Sequence, residues 1–358
     1  MENLVDTLAE YRGRRVLITG DTGFKGSWLS LWLQQRGASV FGYALPPESK
    51  SHFNEIGLSK LIKHRDGDVR DFDRLSTYIS EINPDIIFHL AAQALVIESY
   101  RDPKSTSDTN IGGSINILEA VRLNPNVKAL VFITSDKCYL NKEVARGYTE
   151  LDELGGYDPY SASKAAAEIA FASYARSYFA ERKYFGAASA RAGNVIGGGD
   201  WSANRIIPDC IRSLMAKGPI ELRNPHATRP WQHVLEPLSG YITLGSKLLN
   251  SPIGNMGSWN FGPPENAVHT VQEVTENVLK EWGSGTLRIL STPNKLHEAV
   301  LLQLNCDKAR VQLGWKPKWD FSKTIHETIK WYKQAEAGVN TFVSSSEQLK
   351  TYETSAND

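Results

Sequence analysis

The first half of the chain alternates short apolar runs with stretches of helical periodicity. Apolar runs at 15–19, 39–44, 62–64, 86–90, 129–134 and 185–191 are separated by helical patterns that include 71–82, 105–122 and 160–180. Short apolar runs bounded by turn residues are typical of buried parallel strands, and the intervening helices return the chain to the same edge of the sheet. The pattern therefore predicts an α/β fold with a doubly wound parallel sheet covered by helices on both faces.

The second half is less regular. Turn clusters at 224–230 and 262–266 interrupt it, and the strand candidates at 259–261 and 287–290 lie among short helical stretches. We expect a first domain over 1–194, to which some later segments return, and a smaller C-terminal α/β lobe over 195–335. The polar segment 336–358 carries little pattern and is expected to be a loosely ordered tail.

A glycine-rich turn follows the first apolar run. Glycines stand at 20, 23 and 26, and helical spacing begins directly after the second of them. Glycine lets the backbone approach a ligand closely, and the first turn of a helix presents free N–H groups and a positive dipole. Such a turn predicts a pyrophosphate site, although loops also use glycine for turns alone. The residues predicted to form the site are Gly20, Gly23, Phe24, Lys25 and Gly26.

Composition narrows the classes of function. The 358 residues include 40 basic and 40 acidic ones, so the formal net charge is zero and favours neither nucleic acid nor an anionic membrane. Cys138, Cys210 and Cys306 are far apart, without the spacing of a disulfide framework or a metal site. No apolar run is long enough to span a membrane and no signal pattern begins the chain, so we expect a cytoplasmic protein without a metal.

Small residues and one carboxylate follow two further apolar runs, at the edge where open α/β sheets bind ligands. Asp68, after the third run, could accept a hydrogen bond from an adenine amino group while Val69 packs on the ring. Ala91 and Ala92, after the fourth run, would let a cofactor lie flat on the strand end. Each feature also fits an ordinary loop or a tight turn. The predicted contacts are Asp68, Val69, Leu90, Ala91 and Ala92.

The fifth predicted strand is followed by Ser135, Asp136 and Lys137. Charges beside a buried strand are costly unless paired, so this triplet indicates a functional site or, alternatively, a structural ion pair. Farther along, Tyr160 stands four residues before Lys164 at the start of a helix, which places both side chains on one helix face. The ammonium is expected to lower the pKa of Tyr160 from about 10, so that the phenol can transfer a proton.

These motifs, in this order and spacing, resemble the extended short-chain dehydrogenases/reductases that act on nucleotide sugars. The resemblance also includes Asn110 and the segments 190–201 and 228–234, and it covers about 13 to 335 of the chain. The family's 4,6-dehydratases usually show Thr-Asp-Glu where this chain has Ser135, Asp136 and Lys137. That departure leaves open which group takes the proton from carbon 5 of the sugar.

The resemblance implies a Rossmann-type NAD-binding domain and a nucleotide-sugar 4,6-dehydratase, a hydro-lyase of deoxysugar biosynthesis of the lipopolysaccharide type. Tyr160 would take the proton of the sugar 4-hydroxyl, Ser135 would orient that hydroxyl, and Lys164 would sustain the phenolate and hold the nicotinamide ribose. Asp136 would protonate the departing 6-hydroxyl. Lys137 would serve as the carbon-5 base only as a neutral amine, or else leave that task to another group.

Further contacts follow from the same resemblance. Asn110, Tyr160 and Lys164 are implied to bind the cofactor, and the residues implied to bind the sugar nucleotide are Gln93, Ser135, Asn194, Arg205 and Arg229. No arginine stands near Ala44 to accept a 2′-phosphate, so NAD rather than NADP is expected. The family's dimer interface implies a homodimer, or a higher homo-oligomer, formed by the helices at 105–122 and 158–180.

Three alternatives remain open. A 4-epimerase would share Tyr160 and Lys164 but would not need Asp136 as an acid for the loss of water. A dehydratase could act on another nucleotide sugar. A non-catalytic NAD-binding protein could dispense with the tyrosine and the lysine, both of which this chain has.

Overall fold

The structure is a computed structural model that describes residues 4–264, 267–290 and 302–356. Its strands are β1 Arg15–Thr19, β2 Ser39–Ala44, β3 Lys63–Asp66, β4 Ile86–His89, β5 Ala129–Ile133, β6 Gly186–Ala192, β7 Val195–Ile196, β8 Ile220–Leu222, β9 Thr228–Arg229, β10 Gln232–His233, β11 Gly257–Phe261, β12 His269–Thr270 and β13 Leu287–Ile289. Seven of them form one parallel sheet in the order β11-β6-β5-β4-β1-β2-β3. The predicted doubly wound parallel fold is confirmed.

The helices follow the strands in the alternation that the sequence predicts. They are α1 Leu4–Ala9, α2 Phe24–Gln35, α3 His52–Glu55, α4 Phe72–Ile82, α5 Val96–Arg101, α6 Pro103–Ser107, α7 Gly113–Leu123, α8 Pro159–Tyr174, α9 Ile206–Met215, α10 Leu235–Asn250, α11 Val271–Trp282, α12 Phe321–Glu336 and α13 Thr341–Thr354. Short 3₁₀ turns occupy Leu58–Lys60 and Asp136–Cys138, and π-helical turns occupy Asp108–Gly112, Ala175–Phe179 and Ala309–Leu313. No helix in the described ranges has the length and hydrophobicity to cross a membrane.

The sheet separates two hydrophobic layers because successive strand residues point to opposite faces. In β1, Val16 and Ile18 pack into one layer with α2, α10 and α12, whereas Leu17 packs into the other with α4, α7 and α8. β4 divides its residues in the same way. Both faces of the sheet are therefore covered, which explains why its strands read as nearly continuous apolar runs.

The second half of the chain contributes to both parts of the molecule. β11, which includes the strand predicted at 259–261, pairs with β6 in the central sheet. The strand predicted at 287–290 is β13, and it pairs with β8 in a separate two-stranded sheet. Two more small pairs, β10 with β7 and β12 with β9, complete the strands of this half. The domain boundaries near 194 and 335 stay predictions.

The C-terminal segment differs from the expectation of a loosely ordered tail. Residues 341–354 form α13, and several of its polar side chains are buried. The Glu353 carboxylate accepts hydrogen bonds from Trp32 of α2 and from Arg36 directly after that helix, and the Tyr352 hydroxyl donates to Glu236 at 2.6 Å. Hydrogen bonds to buried polar partners, rather than an apolar stripe, hold this helix on the core, which is why the hydrophobic pattern did not predict it.

Candidate active site

The predicted glycine turn connects β1 to α2 with very little space around its backbone. Gly20 has a φ of +76°, and a Cβ on it would lie 2.8 Å from the Ala91 nitrogen. A Cβ on Gly26 would lie 2.0 Å from the Gly20 carbonyl oxygen. The helix begins after Gly23, which has no side chain to cap it. Glycine is therefore required at 20 and 26, and the first-turn N–H groups of α2 are available to an anion.

The turn meets the end of β4, where Leu90, Ala91 and Ala92 are half-buried, and their contact with a cofactor stays a prediction. Asn110, by contrast, uses its side chain within the protein. It accepts from the Gln93 backbone nitrogen at 2.8 Å and donates to the Gln93 carbonyl and the Ser163 hydroxyl. Asn110 thus positions the β4 loop against α8, and a direct contact with a cofactor stays a prediction.

Asp68 and Val69 follow β3 on the far side of the turn. The Asp68 carboxylate pairs with Arg70, whose hydrogen bonds hold the pKa of that carboxyl below its usual range. Val69 is buried against Gly113 at the start of α7. The predicted role of Asp68 as a hydrogen-bond acceptor would have to be shared with Arg70.

Ser135 and Asp136 lie just after the carboxyl end of β5, and both are buried. The Ser135 hydroxyl donates to the Asp136 carboxylate at 2.8 Å and caps the short 3₁₀ turn that follows. Lys137 donates to the same carboxylate at 3.3 Å and to the Asn194 side chain at 3.1 Å. The structure therefore brings the predicted catalytic triplet together with Asn194.

Tyr160 and Lys164 project from the first two turns of α8. Asp158 caps this helix by accepting from the Ser161 backbone and hydroxyl, and Pro159 occupies its first turn. The close approach of the preceding loop to the helix needs Gly156, because a Cβ there would lie 2.2 Å from the Ala162 nitrogen. The position at which α8 begins is therefore set by the residues directly around it, through the cap, the proline and the close packing at Gly156.

Burial is the largest cause of the pKa shifts of Tyr160 and Lys164. Burial raises the pKa of Tyr160 to about 12; a hydrogen bond with Ser135 acts against this and the negative Asp136 acts with it. The expectation that the pKa of Tyr160 falls below about 10 is therefore wrong for this structure, because burial outweighs the charges around the phenol. Burial also lowers the pKa of Lys164 to about 8.

Lys25 of α2 faces Asp136, Lys137 and Lys164. Its ammonium lies 3.4 Å from the Tyr241 hydroxyl of α10. Burial lowers the pKa of Lys25 to about 7; Asp136 acts to raise it, and the cations Arg205, Lys164 and Lys137 act to lower it. Lys25 thus lies close to Asp136, Lys137 and Lys164, and its predicted contact with a cofactor stays a prediction.

The two predicted substrate arginines occupy different surroundings. Arg205 donates to Asp200 at 2.9 Å, at the start of α9, and its charge reaches Tyr160 and Lys25. Arg229 lies half-buried in β9, where it donates to the neighbouring Thr228 carbonyl. The Gln93 side chain is engaged with Leu95 and Thr106. Roles for these three residues in binding a sugar nucleotide stay predictions.

Sequence reasoning did not single out Tyr241 or the buried Glu168. Glu168 lies four residues after Lys164, so the helical spacing that joined Tyr160 to Lys164 could have identified it. Tyr241 is distant in sequence from its partner and left no such signal. Among the described residues, no three His, Cys, Asp or Glu side chains are placed to hold a metal ion.

The residues present fit a dinucleotide. A Cβ would fill the space at Gly20 and Gly26, the helix end is left to an anion, and small residues follow β4. Gly20, Gly23 and Gly26 would hold the pyrophosphate, and Lys164 would hold the nicotinamide ribose. Such a turn, combined with a doubly wound sheet and a tyrosine–lysine pair beside a strand-end serine, defines an extended short-chain dehydrogenase/reductase.

The chain belongs to the GDP-mannose 4,6 dehydratase family, whose sequence model matches residues 17–328. It is 45% identical over 347 residues to CDP-glucose 4,6-dehydratase of Salmonella typhimurium, a match that covers 96% of this chain and 97% of the relative. The predicted family is confirmed.

Solved structures of lower identity share the fold. The epimerase Mth375 from Methanothermobacter thermautotrophicus has a TM-score of 0.82 at 24% identity, over 93% of this chain and 96% of its own. The dTDP-glucose 4,6-dehydratase from Bacillus anthracis, in complex with NAD, has a TM-score of 0.75 at 22% identity, over 92% of this chain and 100% of its own.

Replacing Gly26 tests the glycine turn directly. Gly26→Ala should abolish NAD⁺ binding in titration calorimetry, because the added methyl group would collide with the Gly20 carbonyl and force the turn open. Gly218→Ala is the control, since its Cβ would meet only the Ser213 carbonyl at 3.8 Å. Unchanged NAD⁺ affinity in Gly26→Ala would show that the turn does not hold the dinucleotide.

Proposed function

We propose that this protein is an NAD-dependent nucleotide-sugar 4,6-dehydratase that converts CDP-D-glucose to CDP-4-keto-6-deoxy-D-glucose for deoxysugar biosynthesis of the O-antigen type. The observation that carries the proposal is the position of Asp136, a buried carboxylate in one hydrogen-bonded group with Ser135 and beside Tyr160. Oxidation at carbon 4 needs only the tyrosine and the serine, whereas the loss of water also needs an acid at this place.

The likeness to the Salmonella enzyme supports CDP-glucose as the substrate, because it extends over nearly the full length of both chains. The fold shared with the NAD-bound Bacillus dehydratase supports NAD as the cofactor. The assignment of cytosine as the base comes from the Salmonella relative. The base is therefore the part of the proposal that rests on similarity.

In the first half of the reaction, Tyr160 takes the proton of the 4-hydroxyl and Ser135 orients that hydroxyl. Ionisation of the phenol is opposed by burial and favoured by the positive charge of Arg205, and Lys164 on the next turn of α8 would add a second positive charge. Bound NAD⁺ would accept the hydride from carbon 4, return it to carbon 6 and add a further positive charge to the site. Burial of Tyr160 excludes water from this proton transfer.

In the second half, transfer of a proton from the Lys137 ammonium to the Asp136 carboxylate, which lie 3.3 Å apart, gives both groups the form that they need: Asp136 becomes the acid that protonates the departing 6-hydroxyl, and the neutral amine takes the proton from carbon 5. Lys137 lies against Asp136 and is tied to Asn194, which holds its ammonium beside the acid. Lys25 faces the same carboxylate, and burial lowers its pKa to about 7, so it is a second amine suited to take up this proton. Either amine can replace the glutamate that other dehydratases have at this place.

We also infer that the enzyme is a cytoplasmic homodimer. Three cysteines without a paired spacing fit a reducing compartment. The dimer is supported by apolar side chains exposed on and beside α7 and α8, which are Ile115, Leu123, Ile169 and Tyr178.

Light scattering should give a mass near twice that of the chain for the wild type and a lower mass for Ile169→Glu. A monomeric wild type would contradict the dimer.

The decisive test of the activity is the product. Incubation with CDP-, dTDP-, GDP- and UDP-linked hexoses, followed by mass spectrometry, should show the loss of water from CDP-glucose. Tyr160→Phe should reduce this turnover by about 10²-fold or more while CDP-glucose still binds, because the phenol acts only in proton transfer. Tyr184→Phe, which changes an exposed phenol, is the matched control and should keep wild-type turnover.

Other outcomes of the same experiment identify the alternatives. A product of unchanged mass would indicate a 4-epimerase. The loss of water from a different sugar nucleotide would overturn the assignment of CDP-glucose alone. Binding of NAD⁺ without conversion of any substrate would indicate a non-catalytic protein.

A further inference from the structure

A buried ion pair lies behind the tyrosine–lysine pair. Glu168 of α8 and Arg191 of β6 are 1% and 3% exposed, and the Arg191 guanidinium donates to the Glu168 carboxylate at 2.6 Å. A charge buried to this degree is strongly destabilising when its partner is removed. The pair therefore imposes a fixed distance between α8 and the sheet.

The carboxylate of Glu168 also joins α8 to the end of β5. It accepts from the Thr134 hydroxyl at 2.5 Å and from the Ser189 hydroxyl at 2.9 Å. Thr134 directly precedes Ser135 in the chain, so one carboxylate links the helix that carries Tyr160 to the backbone that carries Ser135. Such a link acts on the relative position of two catalytic groups without touching either.

The guanidinium of Arg191 extends the same network across the sheet. It donates to the Tyr139 hydroxyl at 2.8 Å and to the Ser258 hydroxyl at 2.9 Å, and Tyr139 donates in turn to Asn260 of β11 at 2.8 Å. Hydrogen bonds thus connect Glu168 to the end of β5 and to β6 directly, and to β11 through Arg191. Apart from the Arg191 Nε, the buried side-chain donors and acceptors of this network have partners, and a network satisfied in this way restrains its members.

Tyr160, Lys164 and Glu168 follow one another at intervals of four residues on α8 and share one helix face. We propose that Glu168 is a positioning residue of the active site, whose anchored carboxylate fixes Tyr160 and Lys164 relative to Ser135 and is the counter-charge of Lys164. The inference rests on the proposed function for its kinetic consequence only.

Among the titratable groups that face Lys164, Glu168 is the one that is negatively charged near pH 7. They are Glu168 on the same helix, Cys138 after β5, His89 at the end of β4 and Lys25 on α2. Burial lowers the pKa of His89 to about 3 and raises the pKa of the Cys138 thiol, so both are neutral near pH 7. Lys25 is either positive or neutral, so it cannot be the negative counter-charge of Lys164.

Glu168 itself stays ionised. Burial acts to raise its pKa, but the Arg191 charge and the hydrogen bonds from Arg191, Thr134 and Ser189 outweigh burial and hold the pKa below its usual range. Burial lowers the pKa of Lys164 to about 8, and Glu168 limits that fall. Protonated Lys164, and activity with it, should therefore be lost as the pH rises through about 8, and removal of the Glu168 charge should move this loss to lower pH.

The test is Glu168→Gln, which removes the charge and keeps the shape. Turnover should fall by roughly 10²-fold, as expected for a small misplacement of catalytic groups, and the alkaline limb of the pH–rate profile should move to lower pH. A side-chain ¹⁵N NMR titration of lysines in the free protein, with the Lys164 signal assigned by Lys164→Gln, should show the same direction of shift. This titration needs no substrate, so it decides the inference even if the proposed activity fails.

Two further variants separate positioning from general stability. Glu353→Gln changes another buried carboxylate that holds α13 to α2, and it should lower stability without moving the alkaline limb. Thr134→Val breaks the link to the β5 end but keeps the ion pair, so it should lower turnover and leave the Lys164 titration unchanged; it also serves if Glu168→Gln does not fold. A Lys164 titration unmoved by Glu168→Gln, or full turnover in Thr134→Val, would overturn the inference.

Discussion

The burial of charged groups at the carboxyl end of β5 is the constraint on which the rest of the structure depends. Asp136 and Lys164 lie there below the surface, and a buried charge is tolerated only when it is paired and hydrogen-bonded. Ser135 and Lys137 are the partners of Asp136, and the buried ion pair of Glu168 with Arg191 lies one helical turn beyond Lys164 on α8. The same contacts that make the charges tolerable also hold the reacting groups in place.

The position of the site follows from the order of the strands. The chain leaves β1 toward β2 on one side and later reaches β4 on the other, so the glycine turn after β1 lies where the winding reverses. Open α/β sheets bind ligands in the crevice at this point. The close contact between Gly20 and Ala91 is the direct sign that the two strand ends meet there.

Features that depend on nearby residues were predictable from the sequence. The strands, the glycine turn and the pairing of Tyr160 with Lys164 are set by periodicity and short spacing. Contacts between distant residues were not, because Glu168 and Arg191 are 23 residues apart and Lys25 and Tyr241 are 216 residues apart. The protonation of Tyr160 was mispredicted for the same reason, since it depends on burial by elements that the local motif does not include.

The central claim is that oxidation at carbon 4 and loss of water at carbons 5 and 6 occur in one buried group around Asp136 and Tyr160. The most direct measurement is the reaction of CDP-glucose deuterated at carbon 4, followed by mass spectrometry and NMR of the product. Our account predicts that the deuterium reappears at carbon 6 of the same molecule, because the groups for both steps lie together and the hydride would be returned without exchange of the cofactor. Loss of the label to solvent, or its transfer to an unlabelled molecule, would contradict it.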